Sequence, residues 1–142
     1  MRTLMLTALF FSAQAFGAEP TGVWKTIDDE TGKPKSLVEI SLTEGSLYGT
    51  ITKLFRGPDE DQNPKCTDCK GEEANKPIIG MQILKSLEQK GSTWSDGTIL
   101  DPGNGKTYTC KIWLEDDNTL KVRGYLGPFF RTQTWHRVPA AE

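Results

Sequence analysis

The sequence predicts an all-β domain closed on itself, and three features predict it. Apolar residues recur two apart over short runs, Gly, Pro, Asn or Asp separate those runs, and turn dipeptides join neighbours. Eight candidate strands result: Gly22 to Ile27, Ser36 to Leu42, Ser46 to Leu54, Ile78 to Lys85, Thr98 to Asp101, Lys106 to Leu114, Thr119 to Leu126 and Arg131 to Arg137. Open edges on such a sheet would leave unpaired backbone groups, so closure into an antiparallel up-and-down barrel of about eight strands is the economical solution.

Taken in order, the first strand carries the triplet Gly22-Val23-Trp24 and the second places Val38, Ile40 and Leu42 on one face. Glu44-Gly45 joins the second to the third, a short-range hairpin signal. In the third, Gly49, Thr50 and Thr52 are small and leave room that larger residues would fill. The fourth is ambiguous, because Ile79, Ile83 and Leu87 also fit a helical stripe; Pro77 and Gly80 favour strand. Asn104-Gly105 leads from the fifth into the sixth, where Tyr108, Cys110, Ile112 and Leu114 share a face. Asp117-Asn118 leads into the seventh, where Leu120, Val122, Gly124 and Leu126 share a face and turn Arg123 and Tyr125 outward. The eighth contains His136, the single histidine of the chain, beside Trp135.

The first eighteen residues place Arg2 before an apolar run from Leu4 to Phe11 and end in small residues, the pattern of a cleaved export signal. The run is too short for a spanning helix, which needs roughly 20 apolar residues. Residues 19–142 are then expected to form one mature domain, periplasmic or secreted, with no integral membrane segment. Its 16 basic residues against 19 acidic ones give a net charge of −3 and no support for nucleic-acid binding.

Several motifs fall away on spacing. Gly105-Lys106-Thr107 ends like a phosphate-binding loop, but Leu100 stands where that loop needs its first glycine. A lone histidine removes multi-histidine metal sites. Neither Asp28-Asp29-Glu30 nor Asp59-Glu60-Asp61 has calcium-loop spacing, so both read as solvated turns. No metal, cofactor or catalytic residue is implied.

Cys66 and Cys69 form a Cys-x-x-Cys pair inside a long polar connection, Arg56 to Pro77. No apolar helical repeat follows the pair, as a thioredoxin-like centre requires, and zinc would need Cys110 and His136 to converge on it. In an exported protein the remaining reading is a disulfide at the loop tip, with Cys110 a buried thiol. A cross-pair from Cys110 to Cys66 or Cys69 is the alternative.

The segments "GVWKTIDDETGKPKSLVEI", "GSLYGTITKL", "WSDGTILDPGNGKTYTCKIWL", "LKVRGYLG" and "RTQTWHR" resemble the bacterial domain of unknown function 2147, a family of small secreted proteins. The resemblance covers about Gly22 to Arg137 and implies a lipocalin-like β-barrel without an established activity. Gly22-Val23-Trp24 is similar to the Gly-x-Trp of lipocalins, whose indole closes one end of the barrel beneath an arginine of the last strand. Here Arg131 or Arg137 is the candidate.

Such a barrel implies a binding module for a small hydrophobic or amphiphilic ligand, covered by the Arg56 to Pro77 connection. Candidate ligand contacts are Tyr48, Trp94, Tyr108, Trp113, Tyr125 and Arg131, with Tyr48 and Tyr108 offering hydroxyls and Gly124 leaving space. Two other readings stand beside it. One is an envelope interaction or structural module whose barrel is full of side chains; the other is a thiol-disulfide protein using Cys66 and Cys69.

Overall fold

The computed structural model describes residues 19–139, and the expected export signal lies outside them. Eight strands follow one another around a closed antiparallel barrel: β1 (Gly22–Ile27), β2 (Pro34–Thr43), β3 (Ser46–Leu54), β4 (Gln82–Lys90), β5 (Thr93–Asp101), β6 (Lys106–Asp116), β7 (Thr119–Leu126) and β8 (Phe129–Arg137). The predicted fold class is the observed one. A short 3-10 turn, Gly71–Glu73, is the one helical element among the described residues.

Each strand pairs with its sequence neighbour, and β1 closes onto β8 through Trp24↔Arg137 and Lys25↔His136. Glu44-Gly45, Asn104-Gly105 and Asp117-Asn118 all fall between paired strands, as the turn chemistry predicts. Glu44 and Gly45 take positive φ, 50° and 83°, the backbone that a tight hairpin demands.

β2, β6 and β8 run one or two residues beyond the expected bounds, and two strands differ by more. The fourth begins at Gln82, because Ile78 N–H donates to the Pro64 carbonyl and Gly80 N–H to the Ile51 carbonyl, isolated ties rather than a ladder with β5. The fifth begins at Thr93 instead of Thr98, with a register shift between Trp94 and Gly97 that disguises its alternation.

Alternation, interrupted in β4 at Ser86 (φ 59°) so that Leu84 and Leu87 both turn inward, packs Trp24, Val38, Ile40, Leu47, Leu84, Leu87, Ile112, Leu120 and Trp135 into a fully buried core. These residues fill the end bounded by the turns after β2, β4 and β6. The other end is bounded by the β1–β2 loop, the long β3–β4 connection and the turns after β5 and β7. It forms the mouth.

Candidate functional site

The closed end is sealed by two residues that meet across the β1–β8 seam. The Arg137 guanidinium lies 4.4 Å over the Trp24 ring. Its Nε donates to the Asp117 carbonyl at 2.7 Å, and Nη1 and Nη2 donate to the Thr21 and Glu19 carbonyls at 2.8 Å each. Trp24 Nε1 donates to the Pro20 carbonyl at 2.8 Å. The fork of Arg137 thus fixes the incoming chain and the β6–β7 turn at once, which a lysine point charge would not do. Gly22 completes the plug: its φ is +124°, and a Cβ there would stand 2.8 Å from Arg137 Nη1. Of the two candidate arginines, Arg137 closes the barrel. Arg131, six residues earlier on the same inward-facing register, sits at the mouth.

Toward the mouth the packing opens into a concavity that faces solvent. A cavity of about 1110 Å³ opens at the mouth. Its deep wall carries Trp135, Val122, Ile51 and Ile99, with Thr26 and Ser36 beside them. The Thr26 and Ser36 hydroxyls bond each other at 2.6 Å, so this buried pair makes no demand on a ligand. Gly124 faces Tyr108 and Ile99; a Cβ at this position would stand 3.3 Å from Tyr108 Cβ, so the glycine keeps the wall thin where Tyr108 enters. The Tyr108 hydroxyl accepts from Asn104 Nδ2 at 3.0 Å.

The rim is polar. Asp28 lines it, and its carboxyl is held below the usual carboxylate range first by the Thr31 backbone N–H and then by that of Glu30. Gln133 donates from Nε2 to Asp29 Oδ2 at 3.1 Å and accepts from Trp135 Nε1 at 3.1 Å. Arg131 Nη1 lies 3.6 Å from the same Asp29 oxygen. Leu126, Phe129 and Phe130 stand exposed on the turn after β7.

The long connection borders the mouth, with Arg56, Gly57, Glu60, Pro64, Lys65 and Thr67 lining the cavity. Cys66 and Cys69 are joined by a disulfide, and Cys110 is a free buried thiol. The bridge is not at an exposed loop tip as expected. Cys66 and Cys69 are 1% and 6% exposed, Cys66 Sγ lies 3.5 Å from the Pro102 carbonyl, and backbone bonds tie Cys66 to Asn75 and Lys76. Gly105 (φ +72°) approaches the Asp68 carbonyl so closely that any side chain there would overlap it. The connection is therefore bound to the β5–β6 turn. Burial pushes the Cys110 thiol up to about 12.

Of the six residues expected to touch a ligand, Tyr108 and Arg131 line the cavity. Trp94 pairs with Gln89 and Ile112 and packs against the core near the closed end. Tyr48, Trp113 and Tyr125 lie outside the lining, because each alternates with an inward residue: Leu47, Ile112 and Gly124. Trp113 and Tyr125 instead join an outer cluster in which Arg123 Cζ lies 4.9 Å over the Trp113 ring and 4.4 Å over the Phe130 ring. Of the small residues, Gly49 faces inward, but Leu84 fills its space: a Cβ at Gly49 would stand 2.9 Å from Leu84 Cδ1. Sequence reasoning missed Thr26, Ser36 and Gln133. Parity with Trp24, Val38 and Arg137 was the signal that would have found them.

Among the described residues, no group of three or more His, Cys, Asp or Glu side chains is placed to hold a metal ion, and no helix is long and apolar enough to cross a membrane.

A closed eight-stranded antiparallel barrel plugged at one end by an arginine on an indole has the lipocalin-like fold. A solved structure, HP1028 from Helicobacter pylori, described as belonging to the lipocalin family, superposes with a TM-score of 0.72 at 21% identity over 85% of this chain and 84% of that one. The chain itself belongs to the family of uncharacterized proteins conserved in bacteria called DUF2147, whose model matches residues 22–137. No curated protein matches it.

Proposed function

We propose that this protein is exported and binds one small hydrophobic or amphiphilic molecule inside its barrel. The observation that carries the reading is the one-ended cavity of about 1110 Å³, walled by Ile51, Ile99, Val122 and Trp135 and ringed by polar groups at its mouth. Ligand sites are concave, mostly apolar and supplied with a few placed polar groups, at volumes of roughly 300–1,000 Å³. Export rests on the N-terminal pattern of Arg2, the Leu4 to Phe11 run and the small residues after it. The open volume weighs against the filled-barrel alternative. Burial of both bridged sulfurs weighs against thiol-disulfide exchange, which needs an accessible sulfur.

Trp135 lies in the cavity wall, so its fluorescence should report occupancy. Delipidated protein titrated with alkyl alcohols, fatty acids and small aromatics should show saturable quenching at micromolar concentration. Val122→Phe, which fills the cavity from β7, should weaken binding by about ten-fold or more. If no compound in the panel binds, the carrier reading is discarded.

A further inference from the structure

We infer that the cavity takes a single-chain amphiphile with a carboxylate head, and that Asp29 holds the headgroup position from within the chain. The inference rests on the binding reading and adds the ligand's head chemistry and its orientation.

Arg131, Gln133 and Trp135 alternate along the inward face of β8, opposite Gly124, Val122 and Leu120. Their donors form a ladder from the cavity wall to the mouth. Trp135 Nε1 donates to Gln133 Oε1 at 3.1 Å, Gln133 Nε2 donates to Asp29 Oδ2 at 3.1 Å, and Arg131 Nη1 stands 3.6 Å from that same oxygen. The ladder therefore ends on one carboxylate oxygen, delivered by the β1–β2 loop.

Below that oxygen no polar group asks for a partner. Thr26 and Ser36 bond each other, and the Trp135 N–H is spent on Gln133. A buried headgroup would find nothing to offset its lost hydration, whereas an alkyl chain would meet Ile51, Ile99 and Val122. The tail therefore points inward and the head stays at the rim.

The rim favours an anion. Four carboxylates line the cavity, Asp28, Glu60, Asp68 and Asp101, against five cations, Lys33, Lys35, Arg56, Lys65 and Arg131; Asp28 accepts the Glu30 and Thr31 N–H groups, Glu60 that of Gly57 and Asp101 that of Gly103. The lining therefore carries a net positive charge of one, and Arg131 is the cation that stands on the inward face of β8. Arg131 carries five donors in a planar fork, and its one acidic contact among the described residues is the long one to Asp29, at 78% side-chain exposure. Such a contact holds weakly against solvent, so a ligand carboxylate replaces it at little cost. Gly124, paired with Arg131 across the ladder, puts no side chain between the guanidinium and the cavity.

The test measures dodecanoate, dodecanol and methyl dodecanoate against the full mature chain at neutral pH, by Trp135 quenching and calorimetry below micellar concentrations. Dodecanoate is expected to bind about ten-fold more tightly than dodecanol or the ester, the increment of a charge-assisted contact. Arg131→Met should collapse the carboxylate-to-alcohol affinity ratio to within about three-fold, and Asp29→Asn should raise it by about three-fold by removing the internal competitor. Equal binding of all three probes, or a ratio indifferent to Arg131→Met and Asp29→Asn, overturns the headgroup assignment while leaving the carrier reading intact. Failure of all three probes to bind overturns both.

Discussion

Trp24 and Arg137 act as one unit, since the indole offers the face on which the guanidinium lies and the guanidinium ties three carbonyls around it. Trp24→Ala removes a fully buried aromatic from this unit and should cost about 3–5 kcal/mol in denaturant unfolding. A loss below about 1 kcal/mol would show that the indole closes nothing. The triplet Gly22-Val23-Trp24 made the plug legible in the sequence, but the choice of arginine was not. Arg131 and Arg137 have the same inward parity, and only the closing register Trp24↔Arg137 separates them. Cys110 supplies a second test at this scale. Its thiol rises from 9.0 to about 12 by burial, so the fold favours the protonated form. That contribution is complete below the unfolded pKa and is lost as pH climbs from about 9 toward 12, by up to about 4 kcal/mol. Comparing wild type with Cys110→Ala between about pH 8 and pH 11, the wild type should lose the larger share of its unfolding free energy. A pH-independent difference would refute the assignment.

At the level of elements, simple alternation carried β1, β3 and β7 to their observed bounds. It failed where the backbone departs from it. Asp96 takes φ 63° just before Gly97, which hides the start of β5, and Ser86 takes φ 59° within β4. Alternation also sorted Arg123 and Tyr125 outward, and the same rule applied to Tyr48 and Trp113 would have removed them from the expected pocket. The Cys-x-x-Cys spacing identified the bridge but not its depth, because its burial depends on the β5–β6 turn about 35 residues away in sequence. A four-residue ring contributes about 2 kcal/mol in the chain-entropy account. Changing Cys66 and Cys69 together to Ser should lower stability by about that amount and leave the barrel's strand signature intact. Limited proteolysis should then cut between Arg56 and Pro77 first. Resistance equal to the wild type would mean that backbone bonds alone secure the connection.

For the molecule as a whole, eight strands of this length produce an interior that side chains can fill or leave open, and composition does not choose between those outcomes. The choice is made by position: bulky residues crowd the end that holds Trp24, Leu47, Leu87 and Leu120, and Gly124, Thr26 and Ser36 occupy the other half. The closing ladder has a matching asymmetry. β1 and β8 share two register pairs, both at the plugged end, whereas β7 and β8 share eight. Toward the mouth, Thr26 and Ile27 have no register partner in β8, and the gap is crossed by side chains from Gln133 and Arg131 to Asp29. Toward the mouth the β1–β8 seam is therefore a slit in the backbone ladder only, closed by side chains. Native-state hydrogen exchange should find the amides facing this slit in β1 and β8 opening far more often than those of β5–β7, at a free energy well below global unfolding. Equal protection around the barrel would mean the wall is continuous. Where backbone pairing is this short, the barrel can part along one seam like an unbuttoned cuff, without the plug or the disulfide having to move.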